Sequence, residues 1–258
     1  MRRSVSEPIQ IDVAPAAPEE VLTLRELYRR EMSCQIIRDA WHGRGWTDSY
    51  LLRLRGQTVG YGLVGGVHGK PKDELIEFYV LAAHRAASLP LFRRLAVVSQ
   101  AKTIVAQTND TLLTLMLYDC ASKIESDTIL FEDAFTTNLV VVGATFRRAT
   151  DSDKRRTFPH TTEPVGDWLI EAEGEVAATG GLMFHYNPPF GDVYMEVAEP
   201  FRRRGYGSYL VQELRRTCRE QGKVPAARCP VSNVASRATL QKAGMLPCAR
   251  VLRGALAG

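Results

Sequence analysis

Long apolar runs are missing from this 258-residue chain. None approaches the roughly 18 to 20 consecutive apolar residues that a membrane-spanning helix needs. The opening MRRSVSEPIQIDV carries two arginines with no apolar stretch behind them, so no secretory signal is expected. Cysteine is sparse and unpatterned. Cys34, Cys120, Cys218, Cys229 and Cys248 are odd in number and widely spread, which argues against a zinc spacing or a disulfide framework. Reduced thiols in a cytoplasmic protein are the expectation. A net charge of +4 is too small, taken alone, to imply nucleic acid. What is present is ordinary globular composition, 45% hydrophobic and 24% charged, in enough chain for one large or two modest domains.

The charges are unevenly placed. Between His160 and Phe201 there is no Lys or Arg but eight acids, Glu163, Asp167, Glu171, Glu173, Glu175, Asp192, Glu196 and Glu199. From Arg202 onward there are twelve basic residues against Glu213 and Glu220. Strand alternation that puts the acids on a solvated face accounts for this; so does a site that binds an anion on one side and a cation on the other.

Periodicity predicts an amphipathic helix over 17–30, a short helix over 34–41, a hairpin over 47–66 about Gly56, a strand at 75–82, a helix at 88–101 and a buried strand at 111–118. The order then returns. Residues 167–184 read as a hairpin about Gly174, 192–198 as a strand, 205–221 as a helix with Leu210, Val211, Leu214 and Cys218 as its apolar stripe and Arg215, Arg216 and Arg219 facing elsewhere. A short strand at 224–231 and a helix at 233–243 follow, capped by Asn233 and ended by Gly244. This similarity of order implies an internal repeat, with the boundary near 138–146.

The central motif is VAEPFRRRGYGSYL, Val197 to Leu210. A strand feeds a turn with Gly205 and Gly207, and a helix follows. Glycine lets backbone N–H groups approach a ligand, and the helix N-terminus favours negative charge, an arrangement suited to a pyrophosphate. Arg202, Arg203 and Arg204 add cationic reach. GYG lacks the Gly-Lys-Ser/Thr of a nucleotide-hydrolysing loop and the third glycine of a dinucleotide fold.

Arg202-x-x-Gly205-x-Gly207 after a strand, SNVASRATLQKAGM (Ser232 to Met245) and FRRATDSD (Phe146 to Asp153) together resemble the GNAT superfamily of acetyl-CoA-dependent N-acetyltransferases, over roughly residues 140–258. The resemblance implies a mixed α/β (α+β) fold of tandem GNAT-like domains, each a twisted mixed sheet flanked by helices. It implies acetyl-CoA as acyl donor, with backbone groups of Val197 and Ala198 on the pantetheine arm, amides from Arg203 through Gly205, Tyr206 and Gly207 to Ser208 around the pyrophosphate, arginines 202–204 near the phosphates, and Asn233 and Ser236 on the cofactor. Asn233 as a helix cap and Ser236 as a first-turn residue are the structural alternatives. The family's tyrosine general acid is replaced by Gln241, which cannot supply a proton. The helical segment before the second hairpin is cut short between Asp153 and Asp167.

Aligning Val80 with Val197 sets Arg85 against Arg202 but Ser88 and Pro90 against the glycines, and proline has no N–H to offer. Residues 1–140 therefore read as a degenerate copy without a cofactor loop, and 141–258 as the acetyltransferase domain. The expected reaction is direct acetyl transfer to a small-molecule or peptidyl amine, cationic on arrival, with no membrane or nucleic-acid partner and no metal. Glu196 is the first choice of general base, ahead of Glu199, Asp192, Tyr194 and His185. Cys229 has no histidine partner for a covalent route. A non-catalytic acyl-CoA sensor is the alternative that Gln241 leaves open.

Overall fold

The computed structural model describes residues 10–36, 38–185 and 188–256; residues 1–9, most of the basic opening, lie outside them. The chain gathers into two compact units, one of Met1–Cys34, Arg38–Ser126 and Val251–Gly258, the other of Gln35–Ile37 and Asp127–Arg250. That division differs from the change at residue 140 expected from element order. Residues 251–255 fall in the first unit because they pair with residues 103–107, which satisfy their N–H and C=O groups.

In the first unit β1 (Ile11–Ala16), β2 (Thr47–Leu54), β3 (Gln57–Gly65) and β4 (Glu74–Val80) form an antiparallel meander. The start of β4 has β5 (Thr103–Gln107) parallel beside it, and residues 251–255 close the row antiparallel to β5. Alternation along β4 sends Phe78 edge-on to Phe92 of α3 (Ser88–Ser99). Glu77 and Tyr79 point to the other face, where helix α1 (Leu22–Glu31) lies; α2 (Asp39–Gly43) follows α1 in the chain. There Glu77 accepts from Arg25 at 3.0 and 2.8 Å and from Tyr61 at 2.8 Å, and Tyr79 donates to Glu31 at 2.5 Å. Both buried charges are thus paired, the condition for keeping them out of water.

The stretch 111–118 is not a strand but part of α4 (Thr111–Cys120), whose N-terminus is capped by Asp110 accepting from Leu113 N at 3.1 Å. A continuous apolar run fits either state. Its leucines and methionine have little β-branching, and the cap in front decides for helix.

The second unit takes the end of β6 (Ala121–Asp133), then β7 (Ala144–Arg148), β8 (Trp168–Ala172), β9 (Glu175–Met183), β10 (Phe190–Val197), α5 (Tyr206–Glu220), β11 (Val224–Pro230) and α6 (Val234–Lys242). The last strand, β12 (Met245–Leu256), gives its residues from Val251 to the first unit. Within the second unit the sheet order is β6-β11-β10-β9-β8-β7, with only β10 and β11 parallel. The predicted stripe of α5 is buried, and its Leu210, Val211 and Leu214 pack with Phe131, Ile170, Ala178 and Val193. Arg215, however, does not face solvent. It is 1% exposed, bonds Asp133 at 2.7 Å and Phe135 O at 2.6 Å, and also reaches Ala243 O. The charge inside is tolerated because a carboxylate and two carbonyls at the ends of β6 and α6 meet it.

The internal repeat is visible bond by bond. Each unit has a two-residue hairpin turn at positive φ, Arg55-Gly56 (49° and 80°) and Glu173-Gly174 (57° and 77°), the geometry that matches strand twist. Each has a bulge at the same place, after Leu52 and after Ile170. Leu81 N bonds Val59 O at 2.8 Å where Ala198 N bonds Ala177 O at 3.0 Å, and Arg85 Nε bonds Val80 O at 3.1 Å where Arg202 Nε bonds Val197 O at 3.3 Å.

Candidate active site

Strands β10 and β11 are paired only over Phe190–Asp192 and Val224–Ala226. Beyond that they part, β10 still held by β9 and β11 by β6. Along a strand the backbone groups turn to alternate neighbours. Ala198 N is bonded to Ala177 O on the β9 side, so Val197 and Met195 turn theirs into the opening. Ala198 was expected to hold the donor as well, but its backbone groups are turned away from the opening. Its N–H goes to Ala177 and its C=O accepts from Phe201 N at 2.9 Å, which starts a tight turn over Glu199–Phe201. Met195 is the residue that alternation brings in its place.

The loop ahead of α5 holds Arg203 at φ 62° and Gly205 at φ 91°. After Arg202, whose N–H bonds Glu199 O, the next backbone N–H with an acceptor is Tyr209, bonded to Gly205 O. Among the described residues the N–H groups of Arg203, Arg204, Gly205, Tyr206, Gly207 and Ser208 are therefore uncommitted. Four of them, Gly205 to Ser208, are the usual free donors of a helix's start; the loop adds Arg203 and Arg204. Gly207 lies against α6 and β10, where a Cβ would come 3.2 Å from Thr239 Cγ2 and from Val197 Cγ2. Tyr206 is buried edge-on to Phe201 with centroids 5.6 Å apart, and Ser208 is buried beside it in the chain.

The three arginines divide their tasks. Arg202 braces Val197 O. Arg204 pairs with Glu173 and lies over the rings of Phe201 and Tyr206, at 5.3 and 5.4 Å. Arg203 is exposed and makes no hydrogen bond or ion pair among the described residues. In the first unit the equivalent segment is a continuous tight helix over Ala82–Ala87, with His84 N on Leu81 O and Ser88 N on Arg85 O. Those donors are consumed, and Pro90 supplies none.

Asn233 caps α6, its Oδ1 accepting from Ser236 N at 2.9 Å. The Ser236 hydroxyl lies within hydrogen-bond reach of the buried Cys229 thiol, whose pKa burial pushes up, so a thiolate is disfavoured there. Gln241 is exposed. Among the described residues no group of three or more His, Cys, Asp or Glu side chains could hold a metal ion.

Glu196 has a different task from the one expected. It is 7% exposed and accepts five hydrogen bonds: from Thr161 N and Oγ1 at 3.0 and 2.9 Å, from Thr162 N and Oγ1 at 3.1 Å each, and from Glu163 N at 3.0 Å. Backbone donors pull its pKa down to about 2 against the opposing effect of burial. A base for an ammonium group needs a free lone pair and a pKa nearer neutrality; Glu196 has neither. It anchors a loop. Between β7 and β8 the only helical turn is Asp153–Arg155, and the chain then runs over the sheet face opposite α5. His160 Nδ1 donates to Glu163 O at 3.0 Å, its Nε2 pairs with Thr179 at 3.0 Å, and its ring stacks on Phe158. Gly166 passes so close to β9 that a Cβ would sit 1.8 Å from Gly180 O.

Glu163, one of the eight acids between His160 and Phe201, sits at the end of that loop. The other base candidates are placed as follows: Asp192 is buried with Arg228 at 3.5 Å, Tyr194 lies across Gly181, and Glu199 and His185 are exposed.

Residues 132–245 match the model of the acetyltransferase (GNAT) family, and the second unit is a GNAT acetyltransferase domain. Its class is acyltransferase. No curated protein matches the sequence. Among solved structures, an acetyltransferase of the GNAT family from Colwellia psychrerythraea superposes with TM-score 0.75 at 15% identity, over 96% of this chain and 100% of its own. A tandem GNAT protein from the clavulanic acid biosynthesis pathway gives 0.59 at 12%, over 96% and 99%. A GCN5-related N-acetyltransferase from Sphaerobacter thermophilus gives 0.54 at 15%, over 96% of each chain. At such identities the likeness is one of fold, and it spans both units.

Proposed function

We propose that the second unit transfers the acetyl group of acetyl-CoA directly to an amine, and that the first unit is a copy without a cofactor loop. The observation that carries this reading is the run of uncommitted N–H groups from Arg203 to Ser208, opening beside parted strands β10 and β11. Such a run suits a pyrophosphate. The edge at Met195 and Val197 suits the amides of a pantetheine arm, and N–H groups there suit the oxyanion that forms at the thioester. The five cysteines are free thiols, and no helix among the described residues is long and apolar enough to cross a membrane; a reducing, cytoplasmic setting fits the first of these. The acceptor in this reading is a small-molecule or peptidyl amine that arrives as a cation. Turnover of CoA against polyamines, aminoglycosides, amino-acid amides and acidic amino acids tests it, and a preference for the acidic acceptors defeats the charge argument.

Gln241, in place of a tyrosine acid, favours a second reading, an acyl-CoA sensor without turnover. Binding of acetyl-CoA with no thiol release from any amine would select it.

Among the arginines, Arg203 is the one free to meet a phosphate. Arg203→Ala is expected to weaken CoA about 3- to 10-fold, the range of one partly exposed charge-assisted contact, and to leave pantetheine, which lacks those phosphates, unchanged. Calorimetry with both ligands checks this; equal losses would point to a disturbed loop.

A further inference from the structure

We propose that Glu163 is the general base of the transfer, held by its loop across the gap between β10 and β11 on the face opposite α5. This rests on the acetyltransferase reading above.

Pairing of β10 with β11 ends at Asp192 and Ala226, so Tyr194, Glu196 and Arg228 all lie past it. Glu163 interacts with groups on both sides: Glu196 and Tyr194 on β10, Arg228 on β11. Its backbone is fixed twice, N–H to Glu196 and C=O to His160 Nδ1. Its carboxylate is half-buried and, unlike that of Glu196, accepts no hydrogen bond among the described residues. Five donors on one carboxylate thus serve to place another over the opening, where an amine would meet a thioester lying along Met195 and Val197.

The surroundings suit the role. The groups facing Glu163 are Arg228 from β11, Glu196 and Tyr194 from β10 and His160 from its own loop. Burial raises its pKa, with Arg228 and His160 opposing and Glu196 adding to the rise. A carboxylate raised toward neutrality is a better proton acceptor than an ordinary one.

The step balances. The Glu163 carboxylate takes one proton from the ammonium of the acceptor, and the neutral nitrogen attacks the thioester carbon. A C–N bond forms, the C–S bond breaks, and the sulfur leaves with the electron pair. The second nitrogen proton ends on that sulfur as the free thiol, and Glu163 returns its proton to water.

The test compares Glu163→Gln, Glu163→Asp and unmodified protein, using the best amine from the panel. Glu163→Gln is expected to lower kcat about 100- to 1000-fold, within the range for a lost base, and to flatten the acidic limb of the pH–rate profile. Calorimetric affinity for acetyl-CoA should stay within about 2-fold, since no donor-site group is touched, and Glu163→Asp should recover part of the rate. A Gln variant that keeps both its rate and its acidic limb overturns the assignment. Loss of rate together with loss of acetyl-CoA affinity overturns it too, in favour of a structural role. Unmodified protein that neither binds acetyl-CoA nor releases CoA overturns the acetyltransferase reading itself, a result distinct from either.

Discussion

Gly205→Val is expected to lower the affinity for acetyl-CoA at least about 100-fold, or about 2.7 kcal/mol, with the domain still folded. The cause is not crowding, since the nearest atom to an added Cβ would be Val141 Cγ2 at 3.6 Å. It is the backbone. At φ 91° a β-branched residue is strained by about 1–3 kcal/mol, and the exposed loop relieves this by rotating. Rotation scatters the N–H groups of residues 203–208, whose common direction is what an anion would use. The first unit displays the relaxed alternative: with Ser88 in this place the segment winds into a tight helix and its donors close on Leu81 O and Arg85 O. Pro90→Gly should therefore create no second site. Gly207→Ala should do less harm than Gly205→Val, because its Cβ meets two side-chain methyls at 3.2 Å that can give way. Calorimetry on the three variants decides, and an unchanged Kd for Gly205→Val would remove the loop from the donor site.

What could be read beforehand was what local chemistry encodes. The turn before α5, the cap at Asn233, the hairpin glycines and the apolar stripe of α5 each depend on residues a few positions apart, and each stands as expected. The run at 111–118 was ambiguous because an apolar stretch has no period to distinguish helix from strand; Asp110 was the one clue. Arg215 carries no sign in the sequence that Asp133 and Phe135 O, distant in the chain, will surround it. The unit boundary was hidden for the same reason, since residues 128–132 and 251–255 take their partners from remote strands. Glu196 is the sharpest case. Nothing local announces that Thr161, Thr162 and Glu163 will turn their N–H groups toward it. The Thr161-Thr162 pair, two hydroxyls in a stretch without a base, is the only trace.

Removing that carboxylate should therefore cost stability before it costs chemistry. Five donors converge on Glu196, and three are backbone groups that would otherwise be left partly buried without acceptors. The pKa falls from 4.5 to about 2, which corresponds to about 3 kcal/mol of stability at neutral pH. A depressed carboxylate contributes fully above its unfolded pKa, and the contribution is lost as pH falls through 4.5 toward 2. Glu196→Ala should accordingly be less stable than the unmodified protein by about 2–4 kcal/mol at pH 7, and the gap should narrow below about pH 4. Urea unfolding followed by Trp168, the one tryptophan of the second unit, measures it. Hydrogen exchange gives the local readout: the amides of Thr161, Thr162 and Glu163 should lose protection in Glu196→Ala, while those of α5 keep theirs. A variant within 0.5 kcal/mol of the unmodified protein, or one whose loop amides stay protected, would show that the carboxylate is not the anchor. Glu196→Gln separates anchoring from proton transfer. Its amide oxygen still accepts, but its NH2 faces donors, so it should lie between the two in stability while any surviving activity keeps the acidic limb of the pH–rate profile. Loss of that limb in Glu196→Gln, with the loop amides still protected, would return the role of base to Glu196.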